Sequence, residues 1–145
     1  MNIIGSISRQ FDNRPYALAK IESPHLQNPL RILFLIDTGA PRTQISSDDA
    51  YRNNLYNNKN LIQDPLEYSG IGGGKVNAYI LPDYKLIFES FNKSLICPLG
   101  NLSILYPTNK QGEFSYNIKS MIGMDILRFF DILLEDNVVI LRRKS

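Results

Sequence analysis

Hydrophobic residues occur along this chain in short runs, many of which alternate with polar residues and are bounded by turn-forming residues. Such runs are typical of β-strands, because successive side chains of a strand point to opposite faces. We therefore expect an all-β fold. The pattern predicts strands at residues 3–8, 16–22, 31–36, 43–45, 66–69, 76–81, 85–88, 95–99, 102–106, 132–135 and 138–141.

Two of the predicted connections have clear turn signals. Residues 12–15 (Asp-Asn-Arg-Pro) separate the first two strands, and Pro presets φ while Asp and Asn tolerate turn backbones. Residues 136–137 (Asp-Asn) suit a two-residue turn between the last two strands. We expect a turn at the first of these places and a hairpin at the second.

Helical signals are sparse. Ser46 or Ser47 can cap a short helix whose first turn holds Asp48 and Asp49, where negative charge favours the helix dipole. Residues 124–130 form the second candidate helix. Residues 53–60 and 107–117 are polar and are expected to be loops.

Length and composition favour one globular domain spanning residues 1–145, with 43% hydrophobic and 21% charged residues. A net charge of only +2 argues against nucleic acid as a partner, because binding phosphates requires a concentrated cationic face. No apolar stretch approaches the roughly 20 residues that span a bilayer, so we expect no membrane partner. The single cysteine, Cys97, cannot form an internal disulfide, which favours a cytoplasmic location. With His25 as the one histidine, we expect no metal site.

The strongest candidate for a chemically active residue is Asp37, which directly follows the apolar run 33–36 (Leu-Phe-Leu-Ile). A carboxylate beside apolar neighbours must be paired, hydrogen-bonded or protonated, which makes it a candidate acid or base. Gly39 lets the backbone turn or lets another chain approach closely, and Thr38 offers a hydroxyl that can fasten the turn.

Three segments resemble the single-domain aspartic peptidases of the retropepsin type, in the expected order. Residues 35–40 (Leu-Ile-Asp-Thr-Gly-Ala), with Thr43 beyond them, resemble the active-site loop. Residues 68–76 (Tyr-Ser-Gly-Ile-Gly-Gly-Gly-Lys-Val) resemble the glycine-rich flap, and 121–127 (Met-Ile-Gly-Met-Asp-Ile-Leu) resemble the second apolar-apolar-Gly element with its short helix. Together these segments span most of the chain.

The resemblance implies a closed β-barrel with a flap hairpin and one short C-terminal helix. It also implies an aspartic endopeptidase that acts on polypeptides and needs no cofactor. Because the chain holds one Asp-Thr-Gly segment, the second carboxylate would come from an identical subunit in a homodimer. The residues that carry these roles are the catalytic Asp37, the loop residues Thr38, Gly39 and Ala40, and the flap residues Gly70, Ile71, Gly72, Gly73 and Gly74.

The chain departs from the retroviral pattern beside the motif. Pro41 and Arg42 stand where those enzymes often place acidic residues, and Met124 stands where many carry an Arg whose ion pair braces the loop. Asp125 is expected to cap the C-terminal helix. A dimer is then held differently, with the terminal strands at residues 2–7 and 138–141 as candidates.

Other interpretations stay open. Asp37 could simply start a turn at a strand end, and the same fold could serve as a non-catalytic peptide-binding or dimerisation module. The glycines of residues 70–75 could cradle a phosphate, since clustered backbone N–H groups bind anions. Their spacing fits neither the P-loop nor the dinucleotide fingerprint, so a mobile hairpin tip is the preferred interpretation.

Overall fold

A computed structural model describes residues 2–8, 12–69, 75–90, 93–98, 100–107 and 119–144. Most of its regular structure is β, as the sequence predicts. Two short helices, α1 (Ser47–Arg52) and α2 (Met124–Leu127), and a 3₁₀ turn at Leu55–Asn57 interrupt the strands. The strands are β1 Asn2–Ile7, β2 Pro15–Glu22, β3 Leu30–Ile36, β4 Gln44–Ile45, β5 Ile62–Ser69, β6 Lys75–Pro82, β7 Lys85–Ser90, β8 Lys93–Pro98, β9 Asn101–Pro107, β10 Met121–Ile122, β11 Phe130–Glu135 and β12 Val138–Arg143.

The strands form one sheet in the order β11-β12-β1-β2-β3-β10-β4-β9-β6-β5, and β7 joins it through β2 and pairs with β8. The short strand β10 lies in the middle of this order. It runs parallel to β3, with Met121 opposite Leu35, and antiparallel to β4. Its two neighbours therefore bracket the Asp37 loop, which connects them.

Strands β5 and β6 flank the segment predicted to be a flap, and they pair antiparallel with Tyr68 opposite Val76 and Ser69 opposite Lys75. The register of this pairing shifts between Asp64 and Tyr68, at a β-bulge or another irregularity. The predicted glycine tip, residues 70–74, lies outside the described residues.

The core comprises two clusters of buried side chains. The larger cluster forms the main hydrophobic core, and its bulkiest members include Phe34, Phe88 and Tyr84. The smaller cluster lies along the end of β3 and consists of Tyr16, Leu35, Ala40, Ala78, Leu105 and Met121. It packs both flanks of the Asp37 loop, so the loop is built on a closely packed base.

Strand β3 explains why this base forms. Its first residues alternate between buried and exposed, whereas its last three, Phe34, Leu35 and Ile36, are all buried. A strand end covered on both faces reads as a continuous apolar run, and that run precedes Asp37.

The predicted local signals are confirmed. Asn13 has a φ of 58° in the first turn, where an Asn tolerates the left-handed conformation. The two-residue connection 136–137 places Glu135 opposite Val138. Ser46 caps α1, since its side chain accepts a hydrogen bond of 3.1 Å from the Asp49 N–H.

Several elements differ from the prediction. Strand β5 begins at Ile62 rather than at residue 66. Helix α2 ends at Leu127, because Phe130 is already the first residue of β11. Strand β10 was not predicted, since two residues are too few to show a hydrophobic period.

Candidate active site

Strand β10 holds the end of β3 in place, and this positions Asp37. The Leu35 N–H donates to the Ser120 carbonyl at 2.9 Å, and the Asp37 N–H donates to the Ile122 carbonyl at 3.1 Å. The chain then turns, with the Ala40 N–H donating to the Asp37 carbonyl at 3.2 Å. The Asp37 backbone is therefore fixed on both sides.

The Asp37 side chain is half-buried, and its Oδ1 accepts a hydrogen bond of 2.8 Å from the Gly39 N–H. Thr38 and Gly39 are exposed, whereas Ala40 is buried in the smaller core cluster. A Cβ added to Gly39 would lie 3.2 Å from this same Oδ1. Gly39 is therefore suited to leaving room for the carboxylate.

The segment that begins α2 packs directly under the Asp37 loop. The Met124 N–H donates to the Ala40 carbonyl at 2.8 Å, and the Asp125 N–H donates to the Pro41 carbonyl at 3.2 Å. At Gly123 the two backbones are in close contact, since an added Cβ would lie 2.6 Å from the Arg42 carbonyl carbon and oxygen. Only glycine fits there without moving the loop.

A carboxylate from α2 adds to these contacts between α2 and the Asp37 loop. Asp125 accepts hydrogen bonds from the Thr43 N–H at 2.9 and 3.0 Å and from the Thr43 hydroxyl at 2.8 Å. The Thr43 oxygen in turn accepts the Gly123 N–H at 3.2 Å. The prediction that Asp125 caps α2 is wrong: Gly123 occupies the cap position without a side-chain bond, and the Asp125 carboxylate is directed to Thr43 instead.

Buried serines tie β10 to helix α1 on the other side. The Ser46 N–H donates to the Ser120 hydroxyl oxygen at 2.9 Å, and the Ser120 hydroxyl donates to Asp49. Ser46 and Ser120 are almost fully buried. Sequence reasoning missed Ser120, because an isolated serine outside a capping pattern carries no local signal.

Asp37 lines a cavity of about 270 Å³. The apolar part of its wall includes Leu35 and Met121 from the adjacent strands β3 and β10. Two basic residues, Arg14 and Lys119, complete the wall. No local pattern in the sequence connects either residue with Asp37, since they come from distant parts of the chain.

A second carboxylate lies near this cavity. Tyr16 donates a hydrogen bond from its hydroxyl to Asp12, and this bond is the main cause that lowers the pKa of Asp12, followed by the Arg14 N–H and the charges of Arg14 and Lys119. Burial and the Asp12 bond raise the pKa of Tyr16 to about 12. Tyr16 therefore stays protonated and keeps Asp12 ionised.

The residues that the structure describes contain no group of three His, Cys, Asp or Glu side chains that could hold a metal ion. No helix in this part of the chain is long and apolar enough to cross a membrane.

Comparisons with known proteins bear on the fold. No protein-family model and no curated protein matches the chain. Among solved structures, a retropepsin-like aspartic protease from Rickettsia conorii aligns with a TM-score of 0.52 and 18% identity, over 97% of this chain and 90% of that chain. EIAV protease complexed with the inhibitor HBY-793 aligns with a TM-score of 0.47 and 16% identity, over 84% of this chain and 92% of that chain.

The first of these alignments covers nearly the whole chain and defines the class of fold. The chain has an all-β, retropepsin-like fold. At this level of identity the likeness describes the fold, and the chemistry must be argued from the residues around Asp37.

Proposed function

We propose that the protein is a homodimeric aspartic endopeptidase in which Asp37 of each subunit supplies one carboxyl of the catalytic pair. One observation carries the proposal. On a retropepsin-like fold, hydrogen bonds from β10 and from the start of α2 hold the loop that contains Asp37, while the Asp37 carboxylate remains partly exposed at a cavity. Groups positioned by a rigid supporting shell are what catalysis requires.

The chemistry follows from placing two carboxyls next to each other. They cannot both ionise at close range, so the pair holds one proton and provides an acid and a base together. The ionised carboxyl takes a proton from water, which attacks the scissile carbonyl carbon, and the protonated carboxyl donates to the carbonyl oxygen. The tetrahedral intermediate then collapses, and the amine leaves with a proton from the pair.

The neighbouring residues have supporting roles in this proposal. Thr38 is exposed beside Asp37, where its hydroxyl can fasten the two loops to each other across the two-fold axis. The substrate would bind in an extended form under the β5–β6 hairpin, pairing its main chain like an added strand. Residues Gly70, Ile71, Gly72, Gly73 and Gly74 would form the tip that closes over it.

The terminal strands are not equally suited to hold the dimer. Strand β12 lies between β1 and β11, with both of its edges used inside one chain. Strand β1 pairs with β2 only at Ser6 and Ile7, so residues 2–5 have a strand on one edge among the described residues. A dimer held by terminal strands would therefore use β1.

The decisive experiment compares the wild type with Asp37→Asn on an unfolded protein and on a peptide library. We expect Asp37→Asn to lower the rate of hydrolysis by at least about a hundredfold, because it removes the acid–base pair. Asp131→Asn, whose residue is exposed on strand β11 and does not line the cavity at Asp37, is a matched control for the loss of a carboxylate.

Sedimentation across a concentration series tests the shared pair independently. Activity should rise with the dimer fraction. In the first experiment, equal hydrolysis by the wild type and Asp37→Asn would leave the peptide-binding module as the function. In the second, hydrolysis by a strictly monomeric species would refute a carboxyl pair formed across two subunits.

A further inference from the structure

The cavity at Asp37 has two chemically different parts. Leu35 and Met121 are less than a tenth exposed and provide a rigid apolar wall. Arg14 and Lys119 are exposed, and they bring two positive charges to the same space. An apolar wall beside cations suits a ligand that has both methylene groups and a negative charge.

The two carboxylates close to these cations already accept hydrogen bonds from other groups. Asp12 is one of them, and the charges of Arg14 and Lys119 help to lower its pKa. Its Oδ1 already accepts the Arg14 N–H at 3.1 Å, and its Oδ2 accepts the Tyr16 hydroxyl. Asp37, which lines the same cavity, is the other, and its Oδ1 accepts the Gly39 N–H at 2.8 Å. The side chains of Arg14 and Lys119 are exposed, so they can contact a carboxylate that enters the cavity.

We propose that this cavity is a substrate subsite that selects an acidic side chain, Glu or Asp, adjacent to the scissile bond. The inference rests on the proposed function, because it uses Asp37 to locate the bond that is cut. The methylene groups of the substrate side chain would pack on Leu35 and Met121, and its carboxylate would bind Lys119 and Arg14 through charge-assisted hydrogen bonds.

The test uses quenched fluorescent peptides that differ only in Glu, Gln or Lys at the residues flanking the scissile bond. For the wild type we expect kcat/KM to be about three- to tenfold higher with Glu than with Gln, the range of partly exposed ion pairs. The ratio should fall toward one in high salt, because these charges are screened.

Charge reversal gives the sharper result. Lys119→Glu should invert the preference, so that the Lys peptide is cleaved faster than the Glu peptide. Lys59→Glu reverses the charge of an exposed lysine that does not line this cavity, and it should leave the ratio unchanged. Arg14→Gln removes the second cation without reversing charge and should lower the Glu-to-Gln ratio two- to threefold, or about 0.4 to 0.6 kcal/mol.

A binding measurement separates this proposal from the proposed function. Asp37→Asn protein is titrated with labelled Glu and Gln peptides, and fluorescence anisotropy gives the two dissociation constants. Hydrolysis with equal rates for Glu and Gln, unaltered by Lys119→Glu, would overturn the subsite and leave the peptidase standing. Preferred binding of Glu that Lys119→Glu inverts, without any hydrolysis by the wild type, would support the subsite and overturn the peptidase.

Discussion

Two aspartates near the same loop have opposite surroundings. Asp125 accepts three hydrogen bonds from Thr43, and this pairing joins α2 to the loop. Among the described residues, Asp37 accepts one hydrogen bond, from the Gly39 N–H, and borders an open cavity. The Asp125 carboxylate is committed to structure, whereas Asp37 keeps most of its bonding capacity within this part of the chain, as the proposed function requires.

The comparison also shows that cavity size does not locate the chemistry. A larger cavity of about 460 Å³ is lined by residues of the 53–60 segment, many of them asparagines, and by residues of the 25–30 segment, including His25. Its lining contains no carboxylate. The smaller cavity is lined by an ionisable group, Asp37, on a loop that β10 and α2 hold in place. This combination is a more useful indicator of a catalytic site than cavity size.

The largest expected effect tests the packing of α2 against the Asp37 loop. Gly123→Ala places a Cβ 2.6 Å from backbone atoms of Arg42, which cannot move away by changing a rotamer. We expect the free energy of unfolding in urea to fall by about 3 kcal/mol. Gly100→Ala is the matched control, because its Cβ would meet nothing within 4 Å. Equal stability of the two variants would contradict the close packing of α2 against the loop.

The same substitution at the two aspartates tests the comparison directly. Asp125→Asn weakens charge-assisted bonds to Thr43, and we expect a loss of about 2 kcal/mol in the free energy of unfolding. Asp37→Asn keeps an oxygen for the Gly39 N–H and should change stability by less than about 0.5 kcal/mol. Urea unfolding of both variants measures this difference. A loss at Asp37 as large as that at Asp125 would mean that both carboxylates are structural.

Gly39 tests how closely the carboxylate must be held. The Cβ of Gly39→Ala would lie 3.2 Å from Asp37 Oδ1 and push it aside. We expect stability to change by less than about 1 kcal/mol, while the proposed hydrolysis falls about tenfold through misplacement of the reacting group. Thermal unfolding and kcat/KM on one peptide give the two numbers. Undiminished hydrolysis by a correctly folded variant would show that the Gly39 contact is not used.

The smallest effect concerns Asp12, the third carboxylate near the site. The pKa of Tyr16 is raised to about 12 from an ordinary value of 10.0, so the unfolded chain loses this proton first as pH rises. The contribution of Tyr16 to stability is therefore present below pH 10 and is lost between pH 10 and 12. Urea unfolding across that range should show the wild type losing stability relative to Tyr16→Phe. Parallel curves would contradict the bond between Tyr16 and Asp12.

Much of the fold could be predicted because its signals are local. Alternation located most strands, Asn13 and Pro15 marked the first turn, and Ser46 with Asp49 marked the start of α1. The predictions that failed concern elements whose extent depends on neighbouring strands in the sheet. Strand β10 is only two residues long and exists because β3 and β4 pair with it on both sides.

The candidate site divides in the same way. By itself, the sequence determined that an ionisable group, Asp37, ends an apolar strand and that a glycine follows two residues later, because both features are contiguous in the chain. Only the tertiary structure decided which groups surround it. Thr43 and Asp125 are 82 residues apart, and Arg14 and Lys119 meet at one cavity from opposite parts of the chain. Contacts of this kind depend on how strands are ordered in the sheet, and no local pattern of side chains specifies that order.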